Sequence, residues 1–235
     1  MLHARISLMK EHCKDCPVLD TSFFSALRGP AKDLVMCLFV YGKYRRRQIL
    51  FQEGNPAVRV FALKSGLIKT YKMSPEGRPQ LIELLRPGEV FGLEGLSSGE
   101  YSVTAEVLAD AELCFFDTAR FAGMLQGNPD LAREIIRILS GSLIEYRVKM
   151  LGFGTKTASA RLADFFLSLM APGASGPGIE IELPLSRGEV ADLIGARLET
   201  VSRLLQSLKR RRILSVRGNR VRVLSLPRLQ ASSAS

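Results

Sequence analysis

A chain of 235 residues with 46% hydrophobic and 24% charged residues is neither a disordered polymer nor a disulfide-stapled miniprotein, and its length suits two domains of unequal size. No stretch approaches the roughly eighteen uninterrupted apolar residues of a membrane span, and the start MLHARISLMKEHCKDC has no apolar signal core, so a cytoplasmic location is expected. Four cysteines are too few for a disulfide scaffold; in a reducing compartment they serve as thiols, metal ligands or redox sensors.

From about Arg45 to Phe116, short apolar runs alternate with turn chemistry. Ile49-Leu50-Phe51 precedes Glu53-Gly54-Asn55-Pro56, and Val60 to Leu63 precedes Lys64-Ser65-Gly66. Leu67 to Met73 precedes Ser74-Pro75-Glu76-Gly77, and Leu81 to Leu85 precedes Arg86-Pro87-Gly88. Val103 to Val107 and Glu112 to Phe116 read as further strands, with Gly92, Gly95 and Gly99 supplying bends. This spacing predicts an antiparallel β-roll of sensor-domain size.

After Asn128-Pro129 the period changes. Leu131, Ile135, Ile138, Leu139, Ser142, Leu143, Tyr146 and Met150 make a helical stripe over Leu131 to Met150. The stripe packs on its own domain or on a twin; the twin is favoured, because Gly141 lets two helices approach closely. A second helix follows over Thr157 to Met170, then a loop of small residues at Pro172 to Gly178. The chain is therefore divided into residues 1–127, 128–152 and 153–235.

Leu185 to Gly195 predicts a capped helix, with Ser186 as N-cap and Glu189 completing a capping box. Gly195 allows a tight turn, and Leu198 to Arg211 makes a second helix with Val201, Leu204, Leu205 and Leu208 on its apolar side. Ile213 to Val216 and Val221 to Leu224, joined at Arg217-Gly218-Asn219, form a hairpin behind it. This is a winged helix-turn-helix. Charge agrees: of the formal +10, residues 186–235 carry eleven basic residues against three acids, a net +8, which suits a polyanion. A non-DNA interaction module would share the hairpin periodicity.

Leu198-Glu199-Thr200-Val201-Ser202-Arg203-Leu204-Leu205 resembles the recognition helix of the cyclic-AMP receptor protein / fumarate-and-nitrate-reduction regulator (CRP/FNR) superfamily. Phe51-Gln52-Glu53-Gly54, Leu63 to Lys69, Pro87-Gly88-Glu89-Val90-Phe91-Gly92 and Leu185 to Ala191 support the resemblance in order. It implies an α+β chain: an N-terminal double-stranded β-helix, a long dimerisation helix using Leu131, Ile135, Ile138, Leu139, Leu143 and Met150, and a C-terminal winged helix-turn-helix. It further implies a homodimeric transcription factor on palindromic DNA, touching RNA polymerase if it activates. Arg203 can offer two donors to guanine, Glu199 can accept from cytosine, and Ser202 can bond a base edge, all on one helix face. Leu198, Thr200, Ser186 and Arg197 complete the expected DNA contacts. Because Leu198 stands where the cyclic-AMP receptor branch carries an arginine, the resemblance implies half-sites of the TTGAT kind rather than TGTGA.

Cyclic-nucleotide-binding members hold the phosphate with an arginine. The corresponding stretch here, Glu100-Tyr101-Ser102-Val103-Thr104-Ala105, has none, so cyclic nucleotide is not expected. Cys13, Cys16 and Cys114 match positions at which the oxygen-sensing branch holds a [4Fe–4S] cluster. A third N-terminal cysteine is absent from Pro17 to Ser22, leaving Cys37 as fourth ligand, or Asp20. A thiol–disulfide switch, zinc on Cys13 and Cys16 with outside ligands such as His12, and an unidentified small effector in the roll are the alternatives. No enzyme is expected: the chain lacks a Gly-x-Ser-x-Gly elbow, a P-loop and a dinucleotide fingerprint.

Overall fold

The computed structural model describes residues 39–170, 176, 178–218 and 220–234, with the backbone alone at Glu134, Ile138, Glu145 and Lys149. Cys13, Cys16, Asp20 and Cys37 lie outside the described residues. The chain divides into two compact units, Met1–Leu143 and Ile144–Ser235.

In the first unit, β1 (Val40–Tyr44), β2 (Ile49–Phe51), β3 (Arg59–Met73), β4 (Pro79–Leu85), β5 (Val90–Phe91) and β6 (Thr104–Asp117) form one sheet. Its order is β1-β6-β3-β4, with β2 also on β6 and β5 also on β3. Two breaks expected from the sequence do not end strands. Lys64-Ser65-Gly66 lies inside β3, where the register against β6 shifts between Leu63 and Ser65 and again between Ser65 and Leu67. Gly66 takes φ 93°, and a Cβ there would stand 2.4 Å from the Asp110 carbonyl oxygen. Only glycine fits, so the turn signal marks a bulge. For the same reason Thr104–Val107 and Glu112–Phe116 belong to one strand, whose middle passes the bulge.

Alternation along these strands separates two apolar clusters. Phe51, Phe61, Leu63, Ile68, Phe91, Tyr101 and Leu113 belong to the first. Phe39, Val60, Ala62, Cys114 and Phe116 belong to the second, together with Phe121, Leu131 and Ile135 from two helices. The first of those helices, α1 (Thr118–Gly127), was not expected; Asp117 caps it by accepting from the Arg120 amide at 2.9 Å. The second, α2 (Pro129–Thr155), runs on through the division between the units. Leu131 and Ile135, expected on a dimer seam, are 1% and 6% exposed within this cluster. The start of the stripe therefore packs on its own roll, and these two residues have no surface left for a twin.

The second unit continues with α3 (Ala158–Ser168), β7 (Ile179–Glu182), α4 (Arg187–Ile194), α5 (Leu198–Arg210), β8 (Leu214–Arg217), β9 (Arg220–Val223) and α6 (Leu226–Ser233). Its sheet has the order β7-β9-β8, so the wing has a third strand that was not expected. Leu162, Phe166, Val190, Ile194, Val201, Leu208, Ile213, Val221 and Val223 share one core. Because Leu131 serves the roll, Leu131→Ala is expected to cost about 2–5 kcal/mol of the roll's stability. In urea the loss is expected to be the same at two protein concentrations tenfold apart, whereas a residue buried by a twin would show concentration dependence.

Candidate nucleic-acid interface and sensor site

The helix-turn-helix starts from a reciprocal cap. Ser186 Oγ accepts from the Glu189 amide at 3.2 Å, and Glu189 Oε2 accepts from the Ser186 amide at 2.8 Å. Ser186 keeps its hydroxyl proton for a further acceptor. Gly195 ends α4 in the left-handed region, φ 59° and ψ 51°, which turns the chain into α5 without strain.

Val201 and Leu208 anchor α5 in the core, which fixes the face it presents outward. Glu199 and Arg203 are exposed on that face, Leu198 is 48% exposed at its start, and Thr200 and Ser202 are half-buried. Among the ion pairs of the described residues none joins Glu199 to Arg203, so both heads are available to bases. Arg187 of α4 brings Nη1 to 3.5 Å from Ser202 Oγ, and exposed Gln206 extends the face by a turn. Sequence reasoning missed both, although Gln206 lies on the helical period of Glu199 and Arg203. Arg197 is exposed immediately before α5 and its side chain makes no capping bond. In the wing, Arg217 and Arg220 face each other in register beside Gly218, while Arg222 Nε lies 3.9 Å from Glu180 Oε1.

The roll's inner cluster is filled with aromatic rings. Tyr101, 4% exposed, stacks on Phe51 at 3.7 Å and 11°. Its hydroxyl donates to the Arg59 carbonyl at 2.8 Å and accepts from the Arg59 amide at 3.1 Å. Glu94 Oε1 accepts from the Ser102 amide at 3.3 Å and from Ser102 Oγ at 3.2 Å. A serine that could serve a phosphate is thus bonded to a carboxylate, which would repel one.

Cys114 is 7% exposed in β6, paired across the sheet with Tyr41 and Ala62. Glu112, next on the same face, lies 3.3 Å from Lys43 Nζ and 3.4 Å from Lys64 Nζ. A hydrogen bond from Tyr41, helped by these lysines, holds the Glu112 carboxyl below the usual carboxylate range. Burial, with Glu112 adding to it, pushes the Tyr41 hydroxyl up. Among the described residues no group of three or more His, Cys, Asp or Glu could hold a metal ion; Cys114 is the only described member of the expected ligand set.

A cyclic nucleotide-binding domain family model matches residues 42–128, and a Crp-like helix-turn-helix domain model matches residues 160–232. The transcriptional activator protein FnrA of Stutzerimonas stutzeri is 30% identical over 216 residues, covering 91% of this chain and 88% of that protein. The chain belongs to the CRP/FNR family of transcriptional regulators. The transcriptional activator protein Anr of Pseudomonas aeruginosa is 29% identical over 223 residues, 93% of this chain and 91% of that protein. Among solved structures, FixK2 from Bradyrhizobium japonicum has a TM-score of 0.72 at 29% identity, covering 84% of this chain and 98% of that one. The expected CRP/FNR fold and the expectation of a regulator rather than an enzyme are both met. No helix among the described residues is long and apolar enough to cross a membrane.

Residues 42–128 match the cyclic nucleotide-binding domain model, while Glu100 to Ala105 carries no arginine. Cyclic AMP titrated into the protein is expected to release no heat and to leave the thermal midpoint unchanged, because Tyr101 fills the inner cluster and Ser102 is bonded to Glu94. Saturable heat would show that the aromatic stack opens.

Proposed function

We propose that the chain is a homodimeric regulator that reads palindromic DNA and answers to oxygen or redox state through a cysteine-ligated [4Fe–4S] cluster. The observation that carries the DNA reading is the outward face of α5: Leu198, Glu199 and Arg203 are exposed while Val201 and Leu208 lock the opposite face. In a major groove, Arg203 gives guanine two donors, Glu199 accepts from cytosine, and Leu198 offers methyl groups to thymine. Ser202, Thr200, Ser186, Arg197 and the wing arginines provide the surrounding base and phosphate contacts.

The dimer reading rests on α2, within the proposed 128–152 dimerisation helix and its continuation. Ile136, Leu139, Leu143, Tyr146, Met150 and Phe153 follow one another at alternating spacings of three and four, and are 42–72% exposed. That is the a/d period of a two-stranded coiled coil. Two such helices bring two α5 faces to two half-sites.

For the cluster, the donor set is Cys13, Cys16 and Cys114 with Cys37, or Asp20, as the fourth. Thiolates are the ligands such clusters take, and burial of Cys114 beside Phe39, Phe116 and Phe121 suits a group held out of water. When bound, the cluster would supply a reactive centre for oxygen or another oxidant. One relative, from Pasteurella multocida, is named anaerobic regulatory protein and is 28% identical over 90% of this chain. Aromatic filling of the roll speaks against a small effector there. A thiol switch remains the rival.

Anaerobically purified protein is expected to be brown, to bleach in air, and to hold about four iron and four sulfide per chain. Cys114→Ser is expected to abolish the colour. Iron-free protein that forms a reversible disulfide would establish the thiol switch instead. On DNA, Leu198→Arg is expected to move preference from TTGAT toward TGTGA palindromes by about 1–3 kcal/mol per half-site, read by competition at one fixed salt concentration. Equal wild-type affinity for both palindromes would refute the role given to Leu198.

A further inference from the structure

One side chain bonds both the turn of the helix-turn-helix and the end of α2. Arg161, in the first turn of α3, donates from Nε to the Ile194 carbonyl at 2.6 Å and from Nη2 to the Gly195 carbonyl at 3.2 Å. Its Nη1 donates to the Phe153 carbonyl at 3.3 Å and to the Lys156 carbonyl at 2.5 Å. These are carbonyls at the C-terminal ends of two helices, α4 and α2, where backbone acceptors run out of helical donors. One guanidinium satisfies both ends, and its positive charge suits the negative pole of each.

A second contact closes the joint. The Arg161 guanidinium carbon lies 5.7 Å from the Phe153 ring centroid. A Cβ on Gly195 would stand 3.0 Å from Phe153 Cδ1, so the ring rests against the glycine that redirects the chain into α5. Asp164, one turn along α3 from Arg161, adds a tether: Lys156 Nζ lies 2.7 Å from its Oδ2, and Ser233 donates to its Oδ1.

We infer that Phe153 and Arg161 are positioning residues that set the angle of α5 from the end of α2. Phe153 holds the last place of the heptad row, so this inference rests on the dimer and DNA readings given above. Its ring faces a twin on one side and the Gly195 turn on the other. Any rearrangement of the two α2 helices at that level moves the ring, and the ring and guanidinium carry the movement to the base-reading face. A glycine at 195 is required twice over, by its left-handed backbone and by the ring beside it.

The test uses the full chain and a palindromic duplex that the wild-type protein selects from a random pool. Failure of the wild type to enrich any palindrome would refute the DNA reading; the joint is tested once one is enriched. Phe153→Tyr keeps the ring and is expected to bind as wild type. Phe153→Leu keeps an apolar seam without the ring, and is expected to remain a dimer by sedimentation while losing about two- to thirty-fold in operator affinity. Amide exchange at Gly195 to Arg197 is expected to quicken in Phe153→Leu. Arg161→Lys keeps the charge but cannot span four carbonyls, and is expected to lose affinity as Arg161→Gln does. The double variant Phe153→Leu/Arg161→Gln is expected to bind no worse than the weaker single, because both act through one contact. Wild-type affinity in Phe153→Leu, full recovery in Arg161→Lys, fully additive losses, or a monomeric Phe153→Leu would each overturn the inference. Should Arg161→Gln fail to fold, the Tyr–Leu comparison at 153 decides alone.

Discussion

The pairing of β3 with β6 is the constraint on which the first unit depends. The two strands, 15 and 14 residues long, run antiparallel from Arg59 opposite Asp117 to Tyr71 opposite Thr104. Every other strand of the roll attaches to one of them. Asp117, the last residue of β6, caps α1, and Val60 and Phe116 supply the apolar surface that captures Leu131 and Ile135 of α2. Cys114 sits within this ladder, so its position is fixed by backbone pairing rather than by a loop. A strand so held is a rigid support for Cys114, the described member of the proposed ligand set, and Tyr101, close before β6, is held equally firmly in the aromatic stack.

The second unit solves a different problem, which is to expose polar and charged groups on a helix that must still be buried on one side. Val201 and Leu208 of α5 are fully or almost fully covered, and Leu204 and Leu205 pack at the core's margin. With one face so committed, Glu199 and Arg203 stand exposed on the other, and their side chains remain hydrated until a groove replaces the water. Lys209 and Arg210 occupy the last turn, where a positive charge suits the helix dipole while adding to the field that draws a polyanion. One set of charges thus serves both stability and recognition.

Legibility in the sequence followed the range of the interactions involved. The capping box of Ser186 and Glu189 and the Gly195 turn are local, involving partners within a few residues, and could be read directly. The Gly66 bulge imitates a turn, because glycine after lysine and serine signals both, and only the register of β3 against β6 tells them apart. The helix α1 was hidden by Gly123 and Gly127, which weaken its period. Leu131 and Ile135 share their spacing with the proposed seam beyond them, and periodicity cannot say which end of a stripe meets its own domain. Glu199 and Arg203 on the exposed face of α5 were legible, whereas Gln206, a turn further along the same face, was not read. Arg161 was not, since the Ile194 and Gly195 carbonyls it serves lie 33 and 34 positions away.

That last distance explains why a joint of this kind is economical. A helix end leaves carbonyls that must find donors in water or in the protein, and holding two such ends side by side calls for several protein donors at one place. Arg161 supplies them from one planar group whose geometry is fixed, so the spacing between the two helix ends is set by the width of a guanidinium rather than by flexible packing. Phe153 then fills the space between that group and Gly195 with a rigid ring. A regulator needs its reading helix to follow the state of a distant site, and a stiff connection transmits a small displacement where a compliant one would absorb it. The stiffness here comes from four hydrogen bonds that converge on one planar group.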